Sequence, residues 1–527
     1  MSLQALRIHS ILTNPTLRDQ GTQRLFWWLL GGLTLLRLLY AHWFPLDLSG
    51  DETYYWDWGR QPDWGYFSKP PLIGWLMAAL RLAGLDTTFG IRACATGLSA
   101  LGLMLFFQLG RDLGDTGSAF WAALLLAVSP AVSAMSLVLT IDVPLLLCWT
   151  GALLAYNRWL HGTDSTLAWG LALVLCIGLG ALSKQTMLAF IPLALLHLAL
   201  DPTHRDYLRR PDTWIGALAA LSFLLPTLLW NRGHGWVTLL HTGQHFAPSL
   251  PSPIQALGHL GELLGAHAAI LGPVTWLLVA VVALRSAIGF RQLDQVQRLL
   301  FIFGGLPLLA CVLLALVQRV EPNWPAPFFV AALLQAVLWL RGRPQTHARW
   351  LPAALSTAAL GSALAYASPL LPLQQGLSRL DVDFLQRLRG WEQGASLIQE
   401  LRERRMGGHE HWIIVYGHRY FASELAFYLP DRPRIHRWPW EPGRIESQYE
   451  LWDTPPPGGS AQALIISADY EKIPAVPDAL RDAFDRVEPL GTLDQSIGTG
   501  HSRRYRLFLG LGWRGVSATP GGPDAGQ

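Results

Sequence analysis

The chain has 527 residues, of which 51% are hydrophobic and 15% charged, and its mean hydropathy is +0.27. Soluble domains carry roughly 25% charged residues, so this chain has too little charge to cover a soluble surface of its length. A multi-spanning α-helical membrane protein is therefore expected, and the formal net charge of +3 argues against nucleic acid as a partner.

Eleven apolar runs reach the roughly 17–25 residues that cross a bilayer. A further run at 72–84 is too short to cross and is expected to lie at the interface. A break is expected near 182–184, and the total is about 11–13 spans. The predicted spans are 25–42, 90–109, 118–137, 141–157, 167–182, 184–200, 213–230, 266–285, 299–318, 325–341 and 351–367.

Lysine and arginine are unevenly shared between the loops. Fourteen arginines fall on the face that includes residues 1–24, and six Lys or Arg residues fall on the opposite face. Cytoplasmic loops carry the excess of positive charge, so residues 1–24 are predicted to be cytoplasmic and the first loop, 43–89, to lie outside. No cleavable signal pattern precedes the first span, which is expected to act as its own insertion signal.

Beyond the transmembrane domain, 25–367, the composition becomes more polar. Residues 368–513 are predicted to form a small α/β domain on the outer face. The tail 514–527 is rich in Gly, Pro and Ala and is expected to be disordered. The predicted strands are 411–417, 463–468 and 503–510, and the predicted helices are 420–429 and 476–485, after an amphipathic stretch at 380–405.

Conspicuous charged and polar residues are concentrated on the predicted outer side, where each is either solvated or part of a functional site. Asp51 and Glu52 either cap a helix of the first loop or carry chemistry. The aromatic residues that follow, Tyr54, Tyr55 and Tyr66 among them, suit a helix at headgroup level and are candidates for substrate contact.

Lys69 is one of three lysines in a chain that holds 40 Lys and Arg residues together. At the membrane boundary its ammonium can snorkel, or it can hold a phosphate as a point charge. Pro70 and Pro71 fix the backbone immediately after it, which suits a positioned group. Arg60 is a second candidate for holding a phosphate.

Further candidates lie at the outer ends of later spans. Asp142 is a carboxylate next to hydrocarbon, which is costly, so it either caps a helix ahead of Pro144 or serves a function. Glu321 and Asn323 lie in a Pro-rich segment that is either a turn or part of a site. Lys184, at the same boundary, is a candidate for substrate contact.

Two histidines one helical turn apart, His241 and His245, could ligate a metal, although no nearby cysteine or carboxylate completes a set. Interfacial histidines are the alternative, and the sequence neither requires nor excludes a divalent metal. No glycine-rich phosphate loop follows a strand and opens a helix, so ATP is not an expected substrate.

These residues carry a resemblance through their order and spacing. The segments 51–55, 66–72, 140–144, 182–184 and 321–325 resemble bacterial members of the dolichyl-phosphate-mannose protein mannosyltransferase superfamily. That superfamily includes lipid A aminoarabinose transferases and lipopolysaccharide-core galacturonic acid transferases. The segments 421–428 and 447–452 are similar to outer domains of bacterial relatives.

The resemblance implies a C-type glycosyltransferase fold in a bacterial inner membrane and a polyprenyl-phosphate-sugar donor. It implies that Asp51 is the catalytic acidic residue with Glu52 beside it, that Lys69 contacts the lipid phosphate, and that Asp142 is the second acidic site. The absence of β-trefoil inserts weakens a protein-acceptor interpretation, and a lipid A or other envelope glycan acceptor is expected.

The resulting hypothesis is an inverting transfer in which Asp51 deprotonates the acceptor hydroxyl while Lys69 and Arg60 stabilise the departing phosphate. Asp142 is expected to orient the sugar or the acceptor. A protein O-mannosyltransferase-like enzyme is one alternative. A secondary transporter is another, but it predicts inverted repeats and charges at the bilayer midplane, which the sequence does not show.

Overall fold

The computed structural model describes residues 15–162, 166–244, 251–370, 385–407, 411–441, 444–452, 462–468, 476–497 and 502–514. Most of the predicted tail, 515–527, lies outside these residues. The helices are α1 Pro15–Trp43, α2 Gly50–Arg60, α3 Leu72–Leu82, α4 Thr88–Leu113, α5 Thr116–Ala127, α6 Pro130–Met135, α7 Asp142–Leu160, α8 Thr166–Ser183, α9 Phe190–Leu200, α10 Pro211–Ser222, α11 Leu225–Gly233, α12 Val237–Gln244, α13 Pro253–Leu271, α14 Pro273–Ile288, α15 Gln295–Leu300, α16 Leu306–Leu314, α17 Phe328–Arg341, α18 Pro344–Ala367, α19 Trp391–Met406, α20 Arg419–Tyr428 and α21 Asp478–Asp482. The strands are β1 His411–Tyr416, β2 Ile435–Trp438, β3 Gln462–Ala468, β4 Phe484–Ser496 and β5 Ser502–Trp513.

The chain divides into two compact units that are interleaved along the sequence. Unit 1 comprises residues 1–44, 89–230 and 243–367. Unit 2 comprises residues 45–88, 231–242 and 368–527. The first loop therefore belongs to the same compact body as the C-terminal residues, an association that hydropathy along the sequence does not reveal.

Unit 1 is helical around an apolar core to which α4, α5, α7, α14 and α17 contribute buried side chains. Within the described residues, five helices are long and apolar enough to cross a membrane, and one bent pair could add a sixth. Each of the eleven predicted spans falls on one of these helices, on another single helix or on two consecutive helices. The five long apolar helices are 19–43, 88–113, 166–183, 211–233 and 295–314.

Several predicted spans are interrupted, and each interruption has a local cause. The stretch 118–137 is two helices, because Ser129 caps a new helix that starts at Pro130. The predicted span 266–285 crosses a bend of 117° between α13 and α14. Gly272 takes φ +88° at that bend, a conformation that favours glycine, and Pro273 then opens α14.

Unit 2 contains a five-stranded sheet in the order β2-β1-β3-β5-β4. The three strands β2, β1 and β3 are parallel, whereas β5 pairs antiparallel with both β3 and β4. The predicted strands at 411–417, 463–468 and 503–510 are confirmed, and so is the helix predicted at 420–429. The α/β character predicted for the C-terminal residues follows from this sheet and from α19 and α20.

Strands β2 and β4 were not predicted. The helix predicted at 476–485 is only α21, and β4 begins directly after it. The polar and apolar residues of β4 do not alternate cleanly, because its register shifts between Pro489 and Gly491. A bulge of this kind breaks the period of two on which strand prediction relies.

Candidate functional site

The first loop begins with a helix whose N-terminus is closed by its own side chains. Ser49 caps α2, and its backbone N–H and hydroxyl both donate to Glu52 Oε2, at 2.9 and 3.0 Å. The Glu52 backbone N–H donates back to Ser49 Oγ at 3.3 Å. This capping box buries Glu52 and favours a structural role for it over the predicted catalytic one.

Helix α2 packs closely on α3 because glycine lies at their contact. A Cβ at Gly59 would lie 2.6 Å from Met77 Cβ and 2.8 Å from the Ala78 backbone nitrogen, so no larger residue fits without movement. At Gly74, a Cβ would lie 2.7 Å from the ring of Tyr66. Tyr66 in turn stacks on Trp58 with ring centroids 4.4 Å apart.

The three tyrosines predicted to contact substrate are part of this packing. Tyr54, Tyr55 and Tyr66 are 1%, 3% and 0% exposed. The Tyr54 hydroxyl accepts a hydrogen bond from the backbone N–H of Gln448 at 2.6 Å, and the Tyr66 hydroxyl lies 3.2 Å from the Trp58 carbonyl oxygen. Their burial favours a packing role over substrate contact.

Asp51 differs from these residues because it is only half-buried. Its Oδ1 accepts a hydrogen bond from the Tyr420 hydroxyl at 2.8 Å. The Tyr420 ring packs on Gly50, where a Cβ would lie 2.6 Å from Tyr420 Cβ. Glycine at position 50 therefore lets α20 approach the first turn of α2 and orient the Asp51 carboxylate.

A cationic side chain accompanies this carboxylate. The guanidinium of Arg419 lies over the rings of Tyr54 and Tyr420, at 5.6 and 5.1 Å. Its Nε is buried and has no hydrogen-bond partner among the described residues. Burial, followed by the charge of Asp51, raises the pKa of Tyr420 to about 12, so Tyr420 remains a donor to Asp51 at neutral pH.

Arg60 uses its donors within unit 2. It lies 3.1 Å from Asp57 Oδ1 and also donates to the backbone carbonyls of Pro433 and Arg432, both at 3.1 Å. The Tyr449 hydroxyl donates to the other Asp57 oxygen at 2.8 Å. These contacts favour a role for Arg60 in holding α2 over the predicted phosphate contact.

Lys69 is half-buried in the segment between α2 and α3. Its carbonyl oxygen accepts from the Tyr66 backbone N–H at 3.2 Å. The neighbouring Phe67 N–H donates to Gln448 Oε1 at 2.7 Å, and Thr238 Oγ1 donates to the Tyr66 carbonyl at 2.7 Å. The segment that carries Lys69 is thus closed by one local hydrogen bond and held from two distant parts of the sequence, Thr238 and Gln448.

A second polar cluster lies in unit 1 around Asp142, the first residue of α7. Lys184 Nζ lies 2.7 Å from Asp142 Oδ1, and Asn323 Nδ2 donates to Asp142 Oδ2 at 2.9 Å. Asp142 and Lys184 are both buried. All three residues are candidates from the sequence, and the structure brings them together as one charge-compensated group.

Lys184 reaches Asp142 because the helix is interrupted at that point. Helix α8 ends at Ser183, Lys184 is extended, and a short 3-10 helix, Gln185–Ala189, follows before α9. The break expected near 182–184 is confirmed. Ser183 Oγ donates to the Ile141 carbonyl at 2.7 Å and secures the same junction.

Two of the other candidates, Glu321 and His241, make contacts elsewhere, and a third, His245, is not described. Glu321 forms an exposed ion pair with Arg319 at 2.8 Å. His241 packs against Phe67 with ring centroids 4.9 Å apart, and His245 lies outside the described residues. In the part of the chain that the structure describes, no group of three or more His, Cys, Asp or Glu side chains could hold a metal ion.

Tyr420, Arg419 and Tyr449 are not among the site residues predicted from the sequence. The segments 421–428 and 447–452 were noted for their resemblance to outer domains, and these are the segments that contact α2. Gly50, immediately before Asp51, is the one local signal of a close approach, although it does not say by which residue.

A multi-spanning helical body combined with a small C-terminal sheet is the architecture of the C-type glycosyltransferase fold, and the predicted fold class is confirmed. The structure of ArnT from Cupriavidus metallidurans in the apo state matches with a TM-score of 0.59 at 15% identity, covering 93% of this chain and 98% of that one. The same protein bound to undecaprenyl phosphate matches with a TM-score of 0.57 at 16% identity, covering 96% and 99%. At this identity the likeness shows the fold.

Sequence comparison points the same way. Residues 68–230 match the family described as dolichyl-phosphate-mannose-protein mannosyltransferase. The chain is 29% identical to the lipid A galacturonosyltransferase RgtD of Rhizobium johnstonii over 313 residues. That match covers 59% of this chain and 64% of the length of RgtD. The resemblance predicted from the motifs is confirmed by these matches.

Proposed function

We propose that this protein is an inverting glycosyltransferase that moves a sugar from a polyprenyl-phosphate donor to a hydroxyl or phosphate of an envelope lipid or glycan. The observation that carries the proposal is the half-buried Asp51 carboxylate, oriented by Tyr420 and accompanied by the half-buried cation Arg419. The likeness to a lipid A galacturonosyltransferase and to ArnT with undecaprenyl phosphate supports the donor and acceptor classes.

In the proposed reaction, the acceptor oxygen attacks the anomeric carbon and the bond from that carbon to the phosphate oxygen breaks. Asp51 takes the acceptor proton, and the polyprenyl phosphate leaves with the electron pair. A carboxylate has about four lone-pair sites, so the hydrogen bond from Tyr420 leaves Asp51 able to accept that proton. Lys69 and Arg419 would stabilise the negative charge that grows on the phosphate.

The Asp142 group has a different role in this proposal. Its carboxylate is compensated by Lys184 and Asn323, so it is poorly suited to take a proton and well suited to fix the start of α7. We propose that this group holds the ends of α7 and α8 in the geometry that substrate binding requires.

The test of the proposed function is mass spectrometry of envelope lipids and glycans in cells with and without the gene. We expect a glycan or lipid species that is heavier by one sugar to disappear on deletion and to return with the wild-type gene but not with Asp51→Asn. Unchanged envelope species, together with altered uptake of a solute, would favour the transporter alternative.

The proposal places the first loop and the C-terminal residues outside the cytoplasm of a bacterial cell, with the N-terminus inside. We expect a reporter fused after Asp206 to give a cytoplasmic signal and one fused after Trp440 to give a periplasmic signal, because the arginine-rich loops remain inside. A cytoplasmic signal at 440 would contradict both the topology and the location of the site.

Lys69 provides a test of phosphate binding. If it holds the phosphate as a point charge within a braced segment, Lys69→Arg should weaken donor binding, because the broad planar guanidinium fits the same space poorly. Lys69→Met keeps the stem and removes the charge, so we expect a loss of about 10²–10³ in turnover. The measurement is donor affinity and turnover of purified protein at equal abundance.

The matched control is Arg285→Lys. The Arg285 guanidinium lies 5.6 Å from the Trp339 ring centroid, a contact that an ammonium also makes. This variant should therefore be silent. Equal donor affinity in wild type and Lys69→Met would show that Lys69 only snorkels.

A further inference from the structure

An apolar cleft of about 470 Å³ lies in unit 1, between α7, α8, α9 and α10. Its size falls within the range of roughly 300–1,000 Å³ that is usual for small-molecule sites. Leu167, Leu171 and Ile215 line it and are 78%, 56% and 65% exposed, so the cleft opens on a surface made of aliphatic side chains. On a helical membrane protein such a surface faces lipid tails.

Helices α8 and α10 start at the same end of this cleft. Gly216 of α10 lies against Val174 of α8, and further along Gly178 of α8 lies against Phe223, the residue after α10, so the two helices run parallel. The first turns of both helices, with Thr166, Asp212 and Thr213, therefore form one mouth of the cleft.

Aromatic and charged side chains gather at this mouth. Trp159 packs on Tyr207 with ring centroids 4.8 Å apart, and Trp214 donates to the Leu208 carbonyl at 2.9 Å. Amphipathic rings of this kind mark the headgroup level of a bilayer. The mouth is thus expected at the depth of phospholipid headgroups, with the cleft extending towards the acyl chains.

The mouth presents both signs of charge within one residue pair. Arg210 Nη2 lies 2.7 Å from Asp212 Oδ2, Asp212 itself lines the cleft, and the two side chains are 43% and 46% exposed. An exposed ion pair of this type contributes little to stability, so Arg210 and Asp212 can each bind a charged group of a ligand instead of one another. A phosphate would pair with Arg210 and a primary ammonium with Asp212.

We propose that this cleft is a binding site for a glycerophospholipid whose headgroup carries a phosphate and a primary ammonium, as phosphatidylethanolamine does. Lipid tails compete equally for an apolar groove, because there is no hydrophobic driving force within the bilayer. Selectivity therefore comes from the mouth. Phosphatidylcholine offers no N–H donor to Asp212, and phosphatidylglycerol offers it no cation.

The test is native mass spectrometry of the purified full-length protein, delipidated and then exposed to equal mixtures of these three lipids. We expect phosphatidylethanolamine to be retained about five- to tenfold more than either competitor. Asp212→Asn should remove this preference, and Arg210→Gln should lower retention of all three phospholipids. Asp206→Asn is the matched control, since Asp206 pairs with Arg209 on the same segment, is 89% exposed and does not line the cleft.

A second pair of variants addresses the cleft itself. Ile215→Trp places a large side chain in the cleft and should reduce retention, whereas Ile254→Trp, at an 80% exposed position on α13, should not. Equal retention of the three lipids by the wild type, or unchanged retention in both Asp212→Asn and Ile215→Trp, would overturn the proposal. The readout is independent of glycosyl transfer.

Discussion

Replacing Asp51 by asparagine should abolish sugar transfer while leaving the protein folded. The amide fills the same volume and can still accept the hydrogen bond from Tyr420, but it cannot take a proton from the acceptor. General base catalysis typically contributes 10²- to 10⁴-fold, and we expect a loss within that range. The measurement is turnover with a polyprenyl-phosphate-sugar donor, alongside donor binding and thermal stability, both of which should change little.

Two neighbouring variants make this test specific. Glu52→Gln preserves the capping box, because glutamine serves at the same position, so its turnover should remain close to that of the wild type. Tyr420→Phe removes the hydrogen bond to Asp51 and should reduce turnover by less than Asp51→Asn does. If Asp51→Asn keeps more than about a tenth of the wild-type rate, Asp51 is not the base.

The second large effect is expected on stability, from Lys184→Met. Asp142 and Lys184 are both about 10% exposed at their side chains, so removing the ammonium leaves a buried carboxylate without its counter-ion. Breaking a buried pair in this way typically costs about 3–5 kcal/mol. The loss should appear as a lower midpoint in denaturant titration of the protein in detergent.

Two further variants separate charge compensation from other causes. The double variant Lys184→Met with Asp142→Asn should recover a large part of the stability, because no unpaired charge remains. Arg319→Met removes a cation from an exposed group that includes Glu262 and Glu321, and it should cost less than about 1 kcal/mol. Similar losses in Lys184→Met and Arg319→Met would rule out the assigned role of the buried pair.

The helical part of the fold was predictable because apolar runs of sufficient length mark helices without knowledge of their partners. The breaks within those runs were harder to predict. The bend at Gly272 and the capped restart at Pro130 lie inside stretches whose average hydropathy is uninterrupted. In unit 2, the bulge near Pro489 masked β4 for a similar local reason.

The candidate site was likewise predictable only in part. Asp51, Lys69 and Asp142 were found because their charges are conspicuous where the surrounding residues are apolar or aromatic. Their partners were not assigned to them, because the contacts span long distances in sequence: Tyr420 is 369 residues from Asp51, and Asn323 is 181 residues from Asp142. Glu52 and the tyrosines of α2 were predicted to act on substrate, but they are buried. The sequence alone does not show whether such a polar side chain is buried.

The interleaving of the two units imposes an order on the synthesis of this protein. Helix α2 leaves the ribosome early, but some of the residues that contact it, Tyr420 and Tyr449 among them, follow more than three hundred residues later. At about 5–20 residues per second, roughly 20–70 s separate the two events. During that interval the side of α2 that faces α20 has no native packing partner.

A chain cut short before α20 would therefore keep α3 and Tyr66 against α2 but would leave the side of α2 that faces α20 uncovered. Such a product would present Trp56 and Tyr54, otherwise buried, to proteases and chaperones on the side of the membrane where the loop emerges. Full burial of the loop that carries Asp51 therefore depends on completion of the C-terminal segment.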